Sequence, residues 1–258
     1  MTNILETRSL NKEFGAVIAA KDLNVQVAKG EVVGVIGSNG AGKTTFINMV
    51  TGYLKPTRGE ILFNGKSILG HSPRAITRAG MARSFQVAQL FPEMNVLDNL
   101  LVALAAAESP RPSFLSPLRS DARIARAEEI LAEFGVEHYR DSLVTAVPQG
   151  ARKLVDIAMA LIGNPQMLLL DEPTSGVSMD EKTGLMDTVM NAVRQHGVTV
   201  LFVEHDMDVV ERYVSRVLAF YSGEIIADGK PAAVLADEQV RDLVTGHRPT
   251  QKKGNGAS

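Results

Sequence analysis

The sequence predicts an α/β fold with an antiparallel β part at the N-terminus and a helical subdomain inserted into the middle of the chain. Three observations predict it. Short apolar segments rich in branched residues (Glu31–Ile36, Met167–Asp171 and Val198–Val203) read as buried strands. Helical patterns stand between strands, the alternation that builds an α/β sheet. From about residue 91 to residue 162 the strand signals stop and helix formers take over. At 258 residues the chain can bury a sizeable core. It reads as one domain over 1–246: residues 1–90 and 163–246 form a core, and about 91–162 a helical subdomain. The polar stretch 247–258 reads as a disordered tail.

Each element has a local reason. Ile4–Leu10 and Asp22–Val27 carry the alternating pattern of strands. Phe14 lies between them and could pack in the core or stack on a nucleobase; from the residues alone, core packing is the expectation. Strand Glu31–Ile36 runs into Gly37-Ser38-Asn39-Gly40-Ala41-Gly42-Lys43-Thr44, and from Thr45 a helix follows that can bury Phe46, Ile47, Met49 and Val50. A turn-rich segment leads to strand Glu60–Phe63, which ends at the tight turn Asn64-Gly65. A short helix, Arg74–Ala79, and a strand, Met81–Gln86, come next. Asn95 can cap a helix through Ala107. Three prolines in Glu108–Pro117 exclude continuous helix and make that segment a surface excursion. Helix Asp121–Phe134 stops at Gly135, and a helix from Gly150 to Ile162 places Leu154, Ile157, Ala158 and Leu161 on one face. Strand Met167–Asp171, helix Thr183–His196 and strand Val198–Val203 restore the α/β pattern. A hairpin of Arg216–Tyr221 and Glu224–Asp228 turns at Ser222-Gly223, and helices near Pro231–Leu235 and Asp237–Thr245 close the chain.

Bulk properties exclude several classes. Composition is ordinary for a soluble protein, with 45% hydrophobic and 22% charged residues. A net charge of −2 argues against broad binding to nucleic acid, so no nucleic-acid partner is expected. The absence of cysteine rules out disulfides, thiolate catalysis and Cys-ligated metals. Residues 1–6 lack the charged and apolar regions of a secretory signal, and no apolar run approaches the ~20 residues of a spanning helix. The expectation is a soluble, cytoplasmic protein whose membrane role, if any, comes through a partner.

The stretch Gly37–Thr44 matches G-x-x-x-x-G-K-[ST], the phosphate-binding P-loop, and sits between strand and helix as that motif requires. Its glycines let the backbone turn N–H groups toward a polyphosphate, and the following helix adds its unpaired first-turn amides and positive dipole end. Ser38, Asn39, Gly40, Ala41, Gly42 and Thr45 belong to this cradle, Lys43 reaches the β- and γ-phosphates, and the Thr44 hydroxyl ligates Mg²⁺. The second cluster is Asp171-Glu172, at the end of a buried strand, where α/β sheets bind ligands. Asp171 is placed to hold Mg²⁺, and Glu172 to orient and deprotonate a water attacking the γ-phosphate. The plainer reading of the pair is a solvated acidic turn before Pro173. His205 follows a buried strand, where a lone histidine is more often structural than functional.

Taken together, these ordered motifs resemble the ATP-binding subunits of ABC transporters, from about Ile4 to Gly246. The resemblance implies a P-loop NTPase core that binds ATP with Mg²⁺ and hydrolyses it. It implies that Phe14 stacks on adenine, against the core-packing expectation. It further implies that Gln86 contacts Mg²⁺ and couples to a membrane partner, that Glu172 is the catalytic base, and that His205 touches the γ-phosphate. Ser175-Gly176-Val177-Ser178 matches the loop that crosses to a second ATPase subunit.

One motif departs from the family pattern. Where the family carries Leu-Ser-Gly-Gly-Gln, this chain reads Val147-Pro148-Gln149-Gly150-Ala151. Pro148 replaces the serine that would contact ATP on the opposite subunit, while Gly150 and the helix start remain as anion-binding elements. Ser178 stands where the crossing loop usually has aspartate. The expectation is a chain with an intact site of its own and a weakened contribution to its partner, pairing with a different ATPase subunit, with a homodimer as the alternative. Within the family, Arg83–Gln86, Asn95–Leu100, the Pro-rich excursion and Val203–Met207 resemble the ATPase subunits of branched-chain and hydrophobic amino-acid importers. Those importers also contain permeases and a periplasmic binding protein, which places this chain at the cytoplasmic face of the inner membrane. Alternatives are the ATPase of an exporter such as a lipopolysaccharide extractor, a soluble ABC-type ATPase acting on DNA or ribosomes, and a GTPase or small-molecule kinase. The chain lacks the tandem domains or basic extensions of the soluble class and the Asn-Lys-x-Asp segment of GTPases.

Overall fold

A computed structural model describes residues 2–84, 90–108 and 117–245 of the chain. Two sheets and a layer of helices organise them. The N-terminal sheet is antiparallel with order β2-β1-β4-β5, built from β1 (Asn3–Phe14), β2 (Val17–Ala28), β4 (Arg58–Phe63) and β5 (Lys66–Ser67). The larger sheet has the order β10-β9-β3-β8-β7-β6. Its strands β3 (Val32–Gly37), β6 (Met81–Ser84), β7 (Met167–Asp171), β8 (Thr199–Val203) and β9 (Arg216–Tyr221) are parallel. Only β10 (Glu224–Gly229) runs antiparallel, as the edge partner of β9.

The period-two alternation of strands splits the core into two apolar clusters. Val33, Val35, Leu169, Leu201, Val203, Leu218 and Phe220 face one side, where helix α1 (Lys43–Val50) and the N-terminal sheet pack. There Phe46 of α1 meets Phe220 with ring centroids 5.6 Å apart. Leu168, Leu170, Val200, Phe202, Val217 and Ala219 face the other side. That cluster is continuous with the apolar faces of α3 (Val96–Glu108), α4 (Asp121–Glu133), α5 (Gln149–Leu161) and α6 (Met179–Gln195). Strands with both faces covered carry the uninterrupted apolar runs visible in the sequence. Short helix α2 (Pro73–Arg78) precedes β6, and α8 (Pro231–Ala236), α9 (Glu238–Val240) and a π-helical turn, Arg241–Thr245, follow β10.

The structure departs from expectation at a few elements. β1 and β2 each run to 12 residues, because they form one hairpin closed by Gly15-Ala16. α6 begins a turn earlier than expected, since Ser178 starts it and donates its hydroxyl to Glu181 at 2.7 Å. Its first turn, exposed Met179 followed by Asp180, Glu181 and Lys182, buries no apolar side chain, so hydrophobic periodicity appears only from Leu185. Helix α7 (Met207–Tyr213) is not among the elements read from the sequence. Asp206 caps it by accepting from the Asp208 amide, and Val209, Val210 and Tyr213 bury one side over just two turns. The expected Pro-rich excursion falls largely outside the described residues, as do Phe85, Gln86 and the tail. Among the described residues no helix is long and apolar enough to cross a membrane.

Candidate functional site

Several of the candidate residues meet at the C-terminal ends of β3, β7 and β8, which are adjacent in the larger sheet. The loop Gly37–Gly42 leaves the end of β3 and delivers the chain into α1. Gly42 must be glycine: its φ is +105°, and a Cβ there would lie 2.7 Å from the Ala19 carbonyl oxygen of β2. That contact presses the loop against the β1–β2 hairpin. The Ala41 carbonyl accepts from the Gly223 amide at 2.9 Å, and the Gly223 carbonyl accepts from the Lys21 amide at 2.8 Å, so the β9–β10 turn supports the loop as well. Ser38, Asn39, Gly40, Thr44 and Thr45 keep solvent access, whereas Gly37 and Ala41 are buried.

Lys43 is buried, and its ammonium donates to the carbonyls of Gly37 at 2.6 Å and Ser38 at 3.0 Å. Burial pulls its pKa below the ordinary lysine value, and the nearby charges of Glu172 and Asp171 oppose that shift. The ammonium therefore sits in its own loop as a concentrated positive charge that a polyphosphate would stabilise. Thr44 is exposed in the first turn of α1.

Asp171 ends β7, and its Oδ2 accepts from Arg83 Nη2 at 2.7 Å. Glu172 follows in a left-handed conformation, φ +49°, held by its amide donating to the Val203 carbonyl of β8 at 3.0 Å. Such a φ is strained for a residue with a Cβ. It aims the carboxylate at the neighbouring strand end, where Glu172 Oε1 lies 2.9 Å from His205 Nε2. The acid and the histidine singled out in the sequence are thus direct neighbours.

Glu204 is a member of the site that sequence reasoning missed. It is 3% exposed, and its Oε1 accepts from the Thr174 amide at 3.1 Å and the Thr174 hydroxyl at 2.6 Å. Its other oxygen accepts from the His205 amide at 3.0 Å. One buried carboxylate thereby ties the loop carrying Glu172 to the loop carrying His205. The available signal was an acid directly after the apolar run Val200–Val203, beside His205.

The remaining expected residues are placed as follows. Phe14 is 51% exposed at the tip of the β1–β2 hairpin with Lys12 Nζ 4.8 Å from its ring centre, so the core-packing expectation is wrong. A hairpin tip has no second layer to cover it, whereas five residues further on Ala19 touches the phosphate loop. Gly150 lies in the first turn of α5, after exposed Pro148, which caps without a side-chain hydrogen bond. The Gln149 side chain packs on Gly176, whose φ of +76° and missing Cβ make room for it. Gln86 lies outside the described residues. Among the described residues no group of three or more His, Cys, Asp or Glu side chains could hold a metal alone. One carboxylate, Asp171, and one hydroxyl, Thr44, offer hard oxygens suited to Mg²⁺, which takes few protein ligands and completes its shell with water and phosphate oxygens.

Comparison with known proteins bears on the family and the fold. Residues 20–175 match the family model described as ABC transporter. The chain is 34% identical over 254 residues to a probable branched-chain amino acid transport ATP-binding protein, LivG, of Methanocaldococcus jannaschii, covering 94% of this chain and 97% of that protein. It is also 34% identical over 247 residues to the high-affinity branched-chain amino acid transport ATP-binding protein BraF of Pseudomonas aeruginosa, covering 93% and 94%. Among solved structures, an ATP-binding cassette of an ABC transporter in its ADP conformation superposes with a TM-score of 0.83 at 33% identity, covering 94% of this chain and 98% of that one. A nucleotide-free cassette gives 0.81 at 31% identity, covering 93% and 98%.

Proposed function

The chain belongs to the ABC transporter family and is an ATP-hydrolysing subunit, and from that premise we propose that it powers an importer for branched-chain or other hydrophobic amino acids or related small solutes. The observation that carries this reading is its 34% identity, over nearly its whole length, to subunits named for branched-chain amino acid transport. In the proposed complex it sits at the cytoplasmic face of the inner membrane. It is held there by permease subunits, beside a second ATPase subunit, and is served by a periplasmic binding protein.

The chemistry proposed for the site follows from its geometry. The loop amides and Lys43 bind the β- and γ-phosphates of ATP, and exposed Phe14 offers a ring for the adenine to stack on. Thr44 and Asp171 would hold Mg²⁺, which neutralises charge on the phosphates; Gln86 is proposed to approach the same ion. Glu172 accepts the proton of the attacking water, and His205, 2.9 Å from it, orients that carboxylate and approaches the γ-phosphate. Gly150 and the start of α5 face a second subunit, as does the Ser175–Ser178 loop that Gln149 contacts through Gly176. With Pro148 in place of a serine hydroxyl, the site this chain completes on its partner is the weaker of the two.

The test is reconstitution. The chain is co-expressed with the permeases, second ATPase and binding protein encoded beside it, and placed in liposomes. ATP-dependent uptake of leucine, isoleucine or valine that fails with Glu172→Gln supports the proposal. Outward transport would favour the exporter alternative. Brisk, cooperative ATP hydrolysis by the isolated chain as a homodimer would contradict the unequal pair of sites.

A further inference from the structure

Arg83 has no role in the chemistry above, yet it is built into the site from two sides. β6 and β7 are parallel neighbours with Arg83 opposite Leu169, so Asp171 stands two residues further along on the same face. Arg83 Nη2 donates to Asp171 Oδ2 at 2.7 Å, with the two side chains only 8% and 13% exposed. The other arm, Nη1, donates to Asn48 Oδ1 at 2.7 Å and reaches Thr51 Oγ1 at 3.4 Å. The guanidinium carbon lies 5.7 Å from the Tyr53 ring centre. Thr44, Asn48 and Thr51 are spaced i, i+4 and i+7, one stripe along α1 and the turn that follows it. The same helix face therefore carries the Thr44 hydroxyl at its top and the anchor of Arg83 lower down.

We propose that Arg83 is a positioning residue for the divalent cation: it fixes the Asp171 carboxylate relative to Thr44 so that both meet the Mg²⁺ that accompanies the nucleotide. The inference rests on the reading of Asp171 as the metal-facing carboxylate. By occupying Oδ2, the guanidinium sets the carboxylate's rotation and directs Oδ1 away from itself. By bonding Asn48, it references that orientation to α1 rather than to the sheet alone. A guanidinium suits the task because its rigid planar fork holds two well-separated N–H donors in fixed directions, whereas a lysine offers one compact, rotatable ammonium. A buried ion pair of this kind adds little net stability against a well-packed apolar pair, so orientation is the property it supplies.

The experiment measures binding of a fluorescent ATP analogue to the full chain over a MgCl₂ titration and in EDTA, for wild type, Arg83→Met, Arg83→Lys and Asp171→Asn. The expected result is a rise of about tenfold in the Mg²⁺ concentration for half-saturation with Arg83→Met, the scale of losing an outer partner of a metal ligand. A smaller rise is expected with Arg83→Lys, and unchanged nucleotide affinity in EDTA for both. If Asp171→Asn shifts the Mg²⁺ dependence and the Arg83 variants do not, the inference is overturned while the reading of Asp171 stands. If Asp171→Asn has no effect, that reading fails and the inference fails with it. Equal losses with and without Mg²⁺ would mark Arg83 as a structural residue and also overturn the proposal. Should Arg83→Met not fold, Arg83→Lys decides by the same readout.

Discussion

Glu204→Gln isolates the joint between the loop that carries Glu172 and the loop that carries His205. The carboxylate serves them with separate oxygens: Thr174 N–H and O–H on Oε1, and His205 N–H on Oε2. A glutamine of the same shape keeps one acceptor and points an NH₂ group at donors on the other side. The arrangement that loses least turns the NH₂ toward Thr174, whose hydroxyl can rotate to accept. The Thr174 amide then remains unpaired in a region where Glu204 is 3% exposed. One charge-assisted bond lost and one buried donor left unsatisfied amount to about 3 kcal/mol. For a chain of this size that lowers Tm by roughly 6–12 °C. Turnover should fall by about tenfold, since a misplacement of about 1 Å at positioned groups can cost about 10²-fold and a smaller one proportionately less. Denaturant unfolding of the isolated chain gives the first quantity and steady-state ATP hydrolysis in the assembled complex gives the second. A stability within about 0.5 kcal/mol of wild type, together with unchanged turnover, would refute the coupling of the loops through Glu204.

Glu172→Gln should preserve ATP binding and abolish hydrolysis in the complex; unchanged turnover would remove Glu172 as the base. Phe14→Ala should weaken nucleotide binding by about tenfold, the loss of one base-stacking contact. It should leave Tm nearly unchanged because the ring is 51% exposed, so a large drop in Tm with intact affinity would reverse that assignment. Tyr213 has its pKa pushed up to about 12, first by burial and then by its hydrogen bond to Asp187. The unfolded chain releases this proton near pH 10 and the folded chain near 12, so the associated stability is present below pH 10 and lost as pH rises toward 12. The loss is about 3 kcal/mol. Urea unfolding across that range should show a steeper alkaline decline for wild type than for Tyr213→Phe, and parallel curves would rule it out.

Much of the site was legible because phosphate binding depends on local chain geometry. Gly37–Thr44 carries its own turn residues, its lysine and the start of its helix within a single stretch, so the motif and its flanking strand and helix patterns mark it as the candidate phosphate loop. Asp171-Glu172 was legible for a related reason: a wholly apolar strand ending in two acids leaves few places for them except the sheet's ligand edge. Phe14 illustrates the opposite case. An aromatic between two strands can turn inward or outward, and the outcome hung on whether the hairpin tip met a second layer. Helix α7 escaped notice because two turns are too few to establish a period, although Asp206 and the Val209-Val210-Tyr213 face are plain once the neighbours are known.

The amino-acid sequence by itself determined the alternation of buried strands and helices, and it marked the glycine-rich loop and the acid pair as candidates, since each depends on residues adjacent in the chain. Only the tertiary structure decided which distant residues serve them. Glu204 reaches Thr174 across 30 positions and Arg83 reaches Asp171 across 88. His205 comes to Glu172 from 33 positions away. Those pairings are set by the strand order β3-β8-β7-β6, which places chain segments side by side in an order unlike their order in sequence. A buried charge or a strained φ draws its meaning from the group opposite it, and that group is chosen by the packing of the sheet.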